Sequence, residues 1–398
     1  MLVGIVGKPS CGKSTFFKAC TLAEVDIANY PFTTIKPNHA VGFVKVEDPA
    51  ISFGKKSIPR FGYVIEKWRF IPIDMIDVAG LVPGAHRGEG MGAQFLSDLN
   101  QADVLIHVID ISGSVNEKGE AVAPLSYDPI KDVAFLEDEL DYWYLGILNK
   151  SWEKFSRQTQ MEKQEPFKAI AKQMSGLGVD EEMTKATMRI LGIDTKPLTE
   201  WSEENLHQLA RELRVRTKPM LIAANKVDIA GAKENYKRLK QAFPNYTVIP
   251  CSAEAEVALR EAAKHSFIKY IPGNNDFTIT STALNEKQQR ALQFLKEKML
   301  VPFQSTGVQQ VLNTAVFNLL KYKPIYPGGV GKLEDSEGRT LPDCFLMPPK
   351  ATALDFAFKL HTDFGKNFIK AINVKTKMPV GKEHVLSAGD IIEIAAGK

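Results

Sequence analysis

One eight-residue segment near the start of the chain limits the folds that this sequence can adopt. Residues 7–14, Gly-Lys-Pro-Ser-Cys-Gly-Lys-Ser, satisfy the pattern G-x-x-x-x-G-K-[S/T]. An apolar run precedes them, and residues 14–22 can continue as a helix. In this context the glycines let backbone N–H groups converge on phosphate oxygens, and the helix N-terminus adds positive potential. The segment therefore predicts a nucleoside triphosphate site.

Each residue of this loop is a candidate ligand of the phosphates or of their metal ion. Lys13 is expected to reach the β- and γ-phosphates, and Ser14 to ligate Mg²⁺. Cys11 lies near a helix N-terminus, where a thiol pKa can fall, but a small buried loop residue is the favoured interpretation. The predicted phosphate-binding residues are Gly7, Lys8, Pro9, Ser10, Cys11, Gly12, Lys13, Ser14 and Thr15.

A second motif follows the apolar run at residues 70–76. Asp77-Val78-Ala79-Gly80 satisfies D-x-x-G, where a carboxylate can hold Mg²⁺ through water while the Gly80 N–H meets the γ-phosphate. The stretch 80–92 contains five glycines in thirteen residues, so we expect it to need a ligand to take one shape. These features predict a segment that responds to nucleotide.

A third motif concerns the base. Asn225-Lys226-Val227-Asp228 follows the apolar run 220–223, so the Asp228 carboxylate can accept hydrogen bonds from guanine N1–H and N2–H₂. Adenine offers an acceptor at N1 and no amine at C2. Ser252 and Ala253 follow the next strand candidate, where their N–H groups can meet guanine O6. The three motifs, each at the end of a strand, predict a GTP site.

The spacing of buried runs predicts an α/β fold with a mostly parallel sheet and helices on both faces. Residues 70–76, 104–109 and 220–223 are typical of buried parallel strands. The segment 112–218 is much longer than one βαβ unit, which needs about 30 residues. Apolar residues recur there at helical spacing, which predicts an inserted helical hairpin or small bundle that resembles a docking arm. The end of the chain predicts a small α+β module.

Composition narrows the class further. The 398 residues suffice for several domains at about 100–200 residues each, and a net charge of +3 identifies no partner. The four cysteines show no CxxC spacing, which favours a reducing compartment over disulfides or zinc. No apolar run approaches the ~18 residues of a membrane span, and no leader pattern opens the chain. We expect a cytoplasmic protein with no membrane partner.

The chain resembles an Obg-related GTPase of the YchF subfamily. The resemblance rests on residues 7–14, 29–34, 77–95 and 225–228, and residues 346–392 resemble a TGS domain of β-grasp type. It implies five segments. They are a G domain first part at 1–111, an inserted helical domain at 112–215, a G domain second part at 216–275, connecting helices at 276–321 and a TGS domain at 322–398.

The resemblance also implies roles for residues in the two glycine-rich segments. One of Thr33 and Thr34 would close on Mg²⁺ and the γ-phosphate. Leu81 stands where signalling GTPases place a glutamine that orients water, so another group must do so. His86 is the candidate, and the alternative is a surface histidine in a loop. The predicted catalytic residues are Lys13, Gly80 and His86.

The implied function is a Mg²⁺-dependent GTPase switch associated with ribosomes. Two alternatives stay open: an ATP-preferring hydrolase of the same family, and an RNA- or ribosome-binding protein in which nucleotide is regulatory. Ser10 stands where many Obg-like proteins have an asparagine that helps to hold K⁺, which argues against K⁺ activation. Six lysines and one acid between residues 359 and 382 could follow an RNA backbone, or form a solvated face. Nothing implies an oligomer.

Overall fold

The computed structural model describes residues 1–22, 38–78, 92–282 and 284–397. Seven strands of these residues form the first sheet: β1 (Leu2–Val6), β2 (His39–Glu47), β3 (Tyr63–Ile65), β4 (Trp68–Asp77), β5 (Val104–Asp110), β6 (Met220–Asn225) and β7 (Val248–Pro250). Their order is β2-β4-β1-β5-β6-β7, with β3 paired on β4. The pairs from β4 to β7 are parallel, whereas β2 and β3 run antiparallel to β4.

The register brings the polar ends of the strands to one edge. Ile5 of β1 lies opposite Asp77 of β4, and Asp110 of β5 lies opposite Asn225 of β6. The carboxyl ends of neighbouring parallel strands form the crevice in which ligands of open α/β sheets bind. The residues of the predicted site therefore start from one end of the sheet.

Helices cover both faces of this sheet. Those described before the last module are α1 (Lys13–Thr21), α2 (Gly92–Gln101), α3 (Ile130–Leu148), α4 (Trp152–Met161), α5 (Pro166–Met174), α6 (Glu181–Ile190), α7 (Glu203–Thr217), α8 (Ala232–Ala242), α9 (Ala253–Lys264), α10 (Glu286–Leu295), α11 (Val301–Phe303) and α12 (Val308–Asn313). Two π-helical stretches, Lys296–Leu300 and Thr314–Leu319, continue α10 and α12. Strands β8 (Ile268–Tyr270) and β9 (Phe277–Ile279) form a separate hairpin.

Successive side chains of β5 point alternately to the two helix layers that cover the sheet. All seven of its residues are buried. Ile106 and Val108 join a core with α1 and α12, whereas Leu105 joins one with α2 and α3. A strand buried on both faces is what a parallel sheet between two helix layers requires. This strand is therefore the centre of the nucleotide-binding unit.

The helical insertion forms a small bundle with its own core. Its buried residues come from α3, α5, α6 and α7, and they include Tyr144, Ile170, Met188 and Leu209. The first half of α3 instead packs on the sheet through Leu136 and Leu140. Helix α3 thus belongs to both hydrophobic cores and connects them.

The C-terminal residues form a second sheet in the order β11-β10-β14-β12-β13. Its elements are β10 (Lys323–Pro327), β11 (Phe345–Met347), α13 (Ala353–Leu360), α14 (Thr362–Lys366), β12 (Phe368–Asn373), β13 (Met378–Val380) and β14 (Ile391–Ala396). Thr352 caps α13 and forms a reciprocal capping box with Asp355, as the sequence predicts.

This module is held on the first sheet by a buried arginine of β4. Arg69 is 1% exposed, and its two terminal nitrogens donate to the carbonyl oxygens of Leu341 and Pro342 at 2.7 and 3.2 Å. Its guanidinium also lies 5.1 Å from the ring centre of Tyr326. Charged contacts of this kind cost free energy to break when the partners are buried. The module and the first sheet are therefore one packed unit at this interface.

The sequence pattern does not predict strand β2, although Val41, Phe43 and Val44 are buried in it. The sequence predicts either a helical hairpin or a small bundle for the insertion, and the structure has the small bundle. No helix of the described residues is long and apolar enough to cross a membrane. The predicted segment boundaries stay predictions.

Candidate functional site

The predicted phosphate loop connects β1 to α1 and approaches its neighbours closely at two glycines. A Cβ on Gly7 would lie 2.4 Å from the carbonyl oxygen of Val108, and one on Gly12 would lie 2.3 Å from Nδ2 of Asn225. Gly12 has a φ of +93°, which a side chain would strain. The pattern therefore has glycines where the backbone must pack against β5 and against the last residue of β6.

Two charged groups meet at the phosphate end of this loop. Nζ of Lys13 lies 2.7 Å from Oδ1 of Asp77, the last residue of β4. Ser14 is exposed in the first turn of α1, and Thr15 follows it half-buried. A hydroxyl and a carboxylate are oxygen ligands of the kind that Mg²⁺ prefers. The donor set of Ser14 and Asp77 therefore fits a magnesium ion shared with nucleotide phosphates.

At the other end of the loop, Asn225 connects three segments. Its Nδ2 donates to the carbonyl oxygen of Cys11 at 3.1 Å, and its Oδ1 accepts from the N–H of Ala253 at 3.0 Å. Nζ of Lys226 donates to the carbonyl oxygen of Ser10 at 3.2 Å. The predicted phosphate loop and the two predicted base loops are thus tied together by side chains of the N-K-x-D motif.

One carboxylate oxygen of Asp228, in the loop after β6, has unused capacity to accept hydrogen bonds. Its Oδ1 atom is buried and has no hydrogen-bond partner within the part of the chain that the structure describes. An unpaired buried carboxylate oxygen is costly, and a hydrogen-bond donor on a bound molecule would remove that cost. Guanine supplies two N–H donors of this kind.

The predicted guanine O6 contacts are already engaged. The N–H of Ser252 donates to the carbonyl oxygen of Thr306 at 2.9 Å, and the N–H of Ala253 donates to Asn225. The Ser252 hydroxyl caps α9 by accepting from the N–H of Ala255. A contact of either N–H with guanine O6 therefore requires a shared, three-centre hydrogen bond.

Two loop residues have roles that the motif does not specify. Burial raises the pKa of the Cys11 thiol to about 11, so this cysteine is a buried loop residue and not an activated thiol. The ammonium of Lys8 lies 2.9 Å from Asp132 of α3, and therefore faces the start of the insertion. Pro9 has no N–H, so the loop offers only its other backbone donors to phosphate.

Sequence reasoning missed Asp110, the last residue of β5. It is fully buried, and its Oδ2 lies 2.9 Å from Nζ of Lys226 and accepts from the hydroxyl of Ser114 at 2.7 Å. Its other oxygen accepts from the N–H of Ser112. The ion pair with Asp110 thus fixes the position of the Lys226 side chain of the N-K-x-D motif. Its position at the end of a strand that neighbours β6 is the signal that could have identified it.

Four predicted residues lie outside the described residues: Thr33, Thr34, Gly80 and His86.

Comparisons with known proteins place the chain in a family. Residues 2–136 match the model of a 50S ribosome-binding GTPase, residues 223–329 match "Obg-like GTPase YGR210-like, G4 motif-containing domain", and residues 337–396 match a TGS domain. An uncharacterized GTP-binding protein of Methanocaldococcus jannaschii is 45% identical over 99% of this chain and 99% of its own length. The chain belongs to the Obg-related GTPases of the YchF subfamily.

Two further relatives support this membership. The crystal structure of a GTP binding protein from Pyrococcus horikoshii is 39% identical, covers 100% of both chains and superposes with a TM-score of 0.77. A protein of Bacillus subtilis named ribosome-binding ATPase YchF is 27% identical over 98% of each chain. The predicted family, the fold of a P-loop GTPase domain with a TGS domain, and the class of P-loop nucleotide hydrolase are confirmed.

Proposed function

We propose that this chain binds GTP in preference to ATP and hydrolyses it to GDP and phosphate in a Mg²⁺-dependent reaction. The observation that carries the proposal is the buried Oδ1 of Asp228, which has no partner among the described residues. Guanine satisfies a carboxylate at this position through N1–H and N2–H₂, whereas adenine places an acceptor at N1. A charged acceptor facing another acceptor is repelled, so the site favours guanine.

The proposed chemistry depends on charge placed around the transferred phosphoryl group. Lys13 exchanges its contact with Asp77 for the β- and γ-phosphates when GTP binds. Ser14, Asp77 and one of Thr33 and Thr34 would hold Mg²⁺, which neutralises phosphate charge when it is bound. The loop N–H groups hold the phosphate oxygens, and the Gly80 N–H is proposed to meet the γ-phosphate.

Competition between nucleotides tests the proposal. A fluorescent GDP derivative is bound to the full chain, and unlabelled GTP, GDP, ATP and ADP are titrated against it. We expect GTP and GDP to compete at least about a hundredfold better than the adenine nucleotides, because the wrong base leaves buried polar groups unpaired. Phosphate release from GTP is then followed with and without Mg²⁺. Equal competition by ATP would instead favour the ATP-preferring alternative, which the name of the Bacillus relative supports.

His86 is proposed to orient the attacking water or to stabilise charge in the closed state. Replacement of His86 with alanine is expected to lower kcat for GTP at least about tenfold, because Leu81 cannot polarise water. The affinity for GTP should change little, because the proposed role of the histidine is confined to the transition state. Single-turnover phosphate release measures the step, with His207→Ala in the insertion as the control. Unchanged turnover in the His86 variant would leave it a surface histidine.

We further propose that the TGS domain associates with ribosomes or RNA in the cytoplasm, as the name of the Bacillus relative indicates for that protein. All six lysines of its basic segment are exposed: Lys359, Lys366, Lys370, Lys375, Lys377 and Lys382. Phe364, 45% exposed, lies on the same module, two residues before Lys366. Exposed cations next to an aromatic ring suit a phosphate backbone with unstacked bases.

Charge reversal tests this association better than deletion, because deletion would uncover Arg69. The triple substitution of Lys370, Lys375 and Lys377 with glutamate is expected to weaken co-sedimentation with ribosomes at least about tenfold, through lost phosphate contacts. The matched control reverses Lys233, Lys237 and Lys240 on α8, which are also exposed. Equal loss in both triple variants would indicate non-specific charge. Turnover that requires ribosomes would favour a nucleotide-regulated binding protein over an autonomous GTPase.

A further inference from the structure

Lys8 of the phosphate loop makes contacts that no phosphate-binding role requires. It is 6% exposed, and its Nζ donates to the carbonyl oxygen of Val115 at 2.8 Å. The same atom lies 2.9 and 3.1 Å from the two carboxylate oxygens of Asp132 and 3.8 Å from the ring centre of Tyr127. A lysine is almost never buried unless its charge is paired. The side chain of Lys8 is therefore committed to the polypeptide that begins the insertion.

Asp132 is correspondingly committed to Lys8. It lies in the first turn of α3, is 7% exposed, and also accepts a hydrogen bond from the Tyr127 hydroxyl at 2.9 Å. Burial raises the pKa of this carboxyl, and the contacts with Lys8 and Tyr127 act in the opposite direction. Separating a buried ion pair leaves an uncompensated charge on each side. Moving the phosphate loop away from the start of α3 therefore costs free energy.

A second contact joins the same two parts. Val115 and Ala121 form an antiparallel bridge, and the turn between them rests on the phosphate loop. A Cβ on Gly119 of this turn would lie 2.7 Å from Cβ of Pro9, and Gly119 has a φ of +83°. This position thus requires glycine both for its backbone conformation and for its approach to Pro9. Residues 8 and 9 are both held by the segment that leads from β5 to α3.

Helix α3 extends from this contact to the bundle. It has 19 residues and is therefore about 28 Å long at about 1.5 Å per residue. Asp132 lies in its first turn, whereas Tyr144 and Leu148 lie in the core of the bundle. Arg214 of α7 is also buried and donates to Asp141 of α3 at 2.8 Å. Helix α3 therefore connects Asp132 to the core of the bundle through one continuous element.

We propose that Lys8 is a positioning residue that couples the helical insertion to the phosphate loop, so that nucleotide binding and movement of the bundle influence each other. The coupling rests on the proposed function only in needing a bound nucleotide, and it does not depend on which base is preferred. It is reciprocal: a partner that shifts the bundle changes nucleotide affinity by the same factor by which nucleotide changes affinity for the partner. The Lys8–Asp132 pair is the contact through which both effects pass.

Hydrogen exchange of the full chain, with and without saturating GDP, tests the coupling. In the wild-type protein, GDP is expected to slow exchange in α3 and in the bundle helices α5 and α7. The expected factor is about fivefold or more, because coupling between two sites is typically of at least this size. Lys8→Met keeps the side-chain stem and removes the charge. At equal GDP occupancy it should retain the protection around Asn225 and lose the protection in the bundle. The matched control is Lys131→Met, which removes an exposed charge beside Asp132.

A double variant covers the case in which a lone buried charge unfolds the protein. Lys8→Met combined with Asp132→Leu removes both charges, and such replacements are often neutral for stability. We expect it to fold and, at equal GDP occupancy, to show no response of the bundle. A response like that of the wild-type protein in this variant would overturn the coupling. So would a wild-type bundle that does not respond to GDP, and that outcome would leave the guanine preference measured by competition untouched.

Discussion

Asparagine at position 228 is expected to abolish the preference for GTP over ATP. The amide offers an uncharged oxygen and adds an N–H₂ donor that faces the guanine N2–H₂ donor, so the affinity for GTP should fall at least about a hundredfold. ATP loses nothing, because it does not use the carboxylate. Competition against a fluorescent nucleotide, measured for the wild-type protein and Asp228→Asn, gives both affinities.

Binding of xanthosine triphosphate distinguishes a change in base recognition from general damage to the nucleotide site. Xanthine has a carbonyl at C2 and keeps N1–H, so the amide of asparagine can donate to the first and accept from the second. We expect Asp228→Asn to bind this nucleotide at least about tenfold better than the wild-type protein does. Asp194→Asn, an exposed change in the insertion, is the control. If Asp228→Asn keeps its preference for GTP, the carboxylate does not read the base.

The sequence predicts the parts of this fold whose signals are local. Parallel strands buried on both faces appear as continuous apolar runs, and β5 and β6 are entirely buried in the structure. The helix cap at Thr352 also depends on residues three positions apart. The sequence pattern does not predict strand β2, because its apolar and polar residues have no clear period. The burial of this strand comes from its pairing with β4 along nine residues. Such pairing is a tertiary property.

The candidate site shows the same division. The three motifs identify the loops, because backbone geometry at a phosphate or a base demands glycine, lysine or aspartate at set spacing. The supporting residues have no such spacing. Lys226 and Asp110 are 116 positions apart, and Lys8 and Asp132 are 124 apart. Their pairing depends on the order of strands in the sheet and on the direction of α3, which no local pattern encodes.

The neutral replacement of Lys13 with methionine is expected to have the largest effect on catalysis. Methionine keeps the approximate length of the stem and removes the ammonium group that lies 2.7 Å from Asp77. The charge that develops on the γ-phosphate in the transition state would then lose Lys13 as a stabilising donor. Loss of one such donor lowers kcat about a hundred- to a thousandfold. Phosphate release at saturating GTP and Mg²⁺ measures it.

The control for this change lies on the same helix. Lys18→Met removes an exposed lysine of α1 whose partner, Glu261, is 3.4 Å away at the surface. Surface pairs contribute little, so turnover of this variant should stay within about twofold of the wild-type value. A Lys13→Met protein that binds GDP and still hydrolyses GTP within about tenfold of the wild-type rate would contradict the assignment. Transition-state charge would then have to be stabilised by the loop N–H groups and the metal ion, without Lys13.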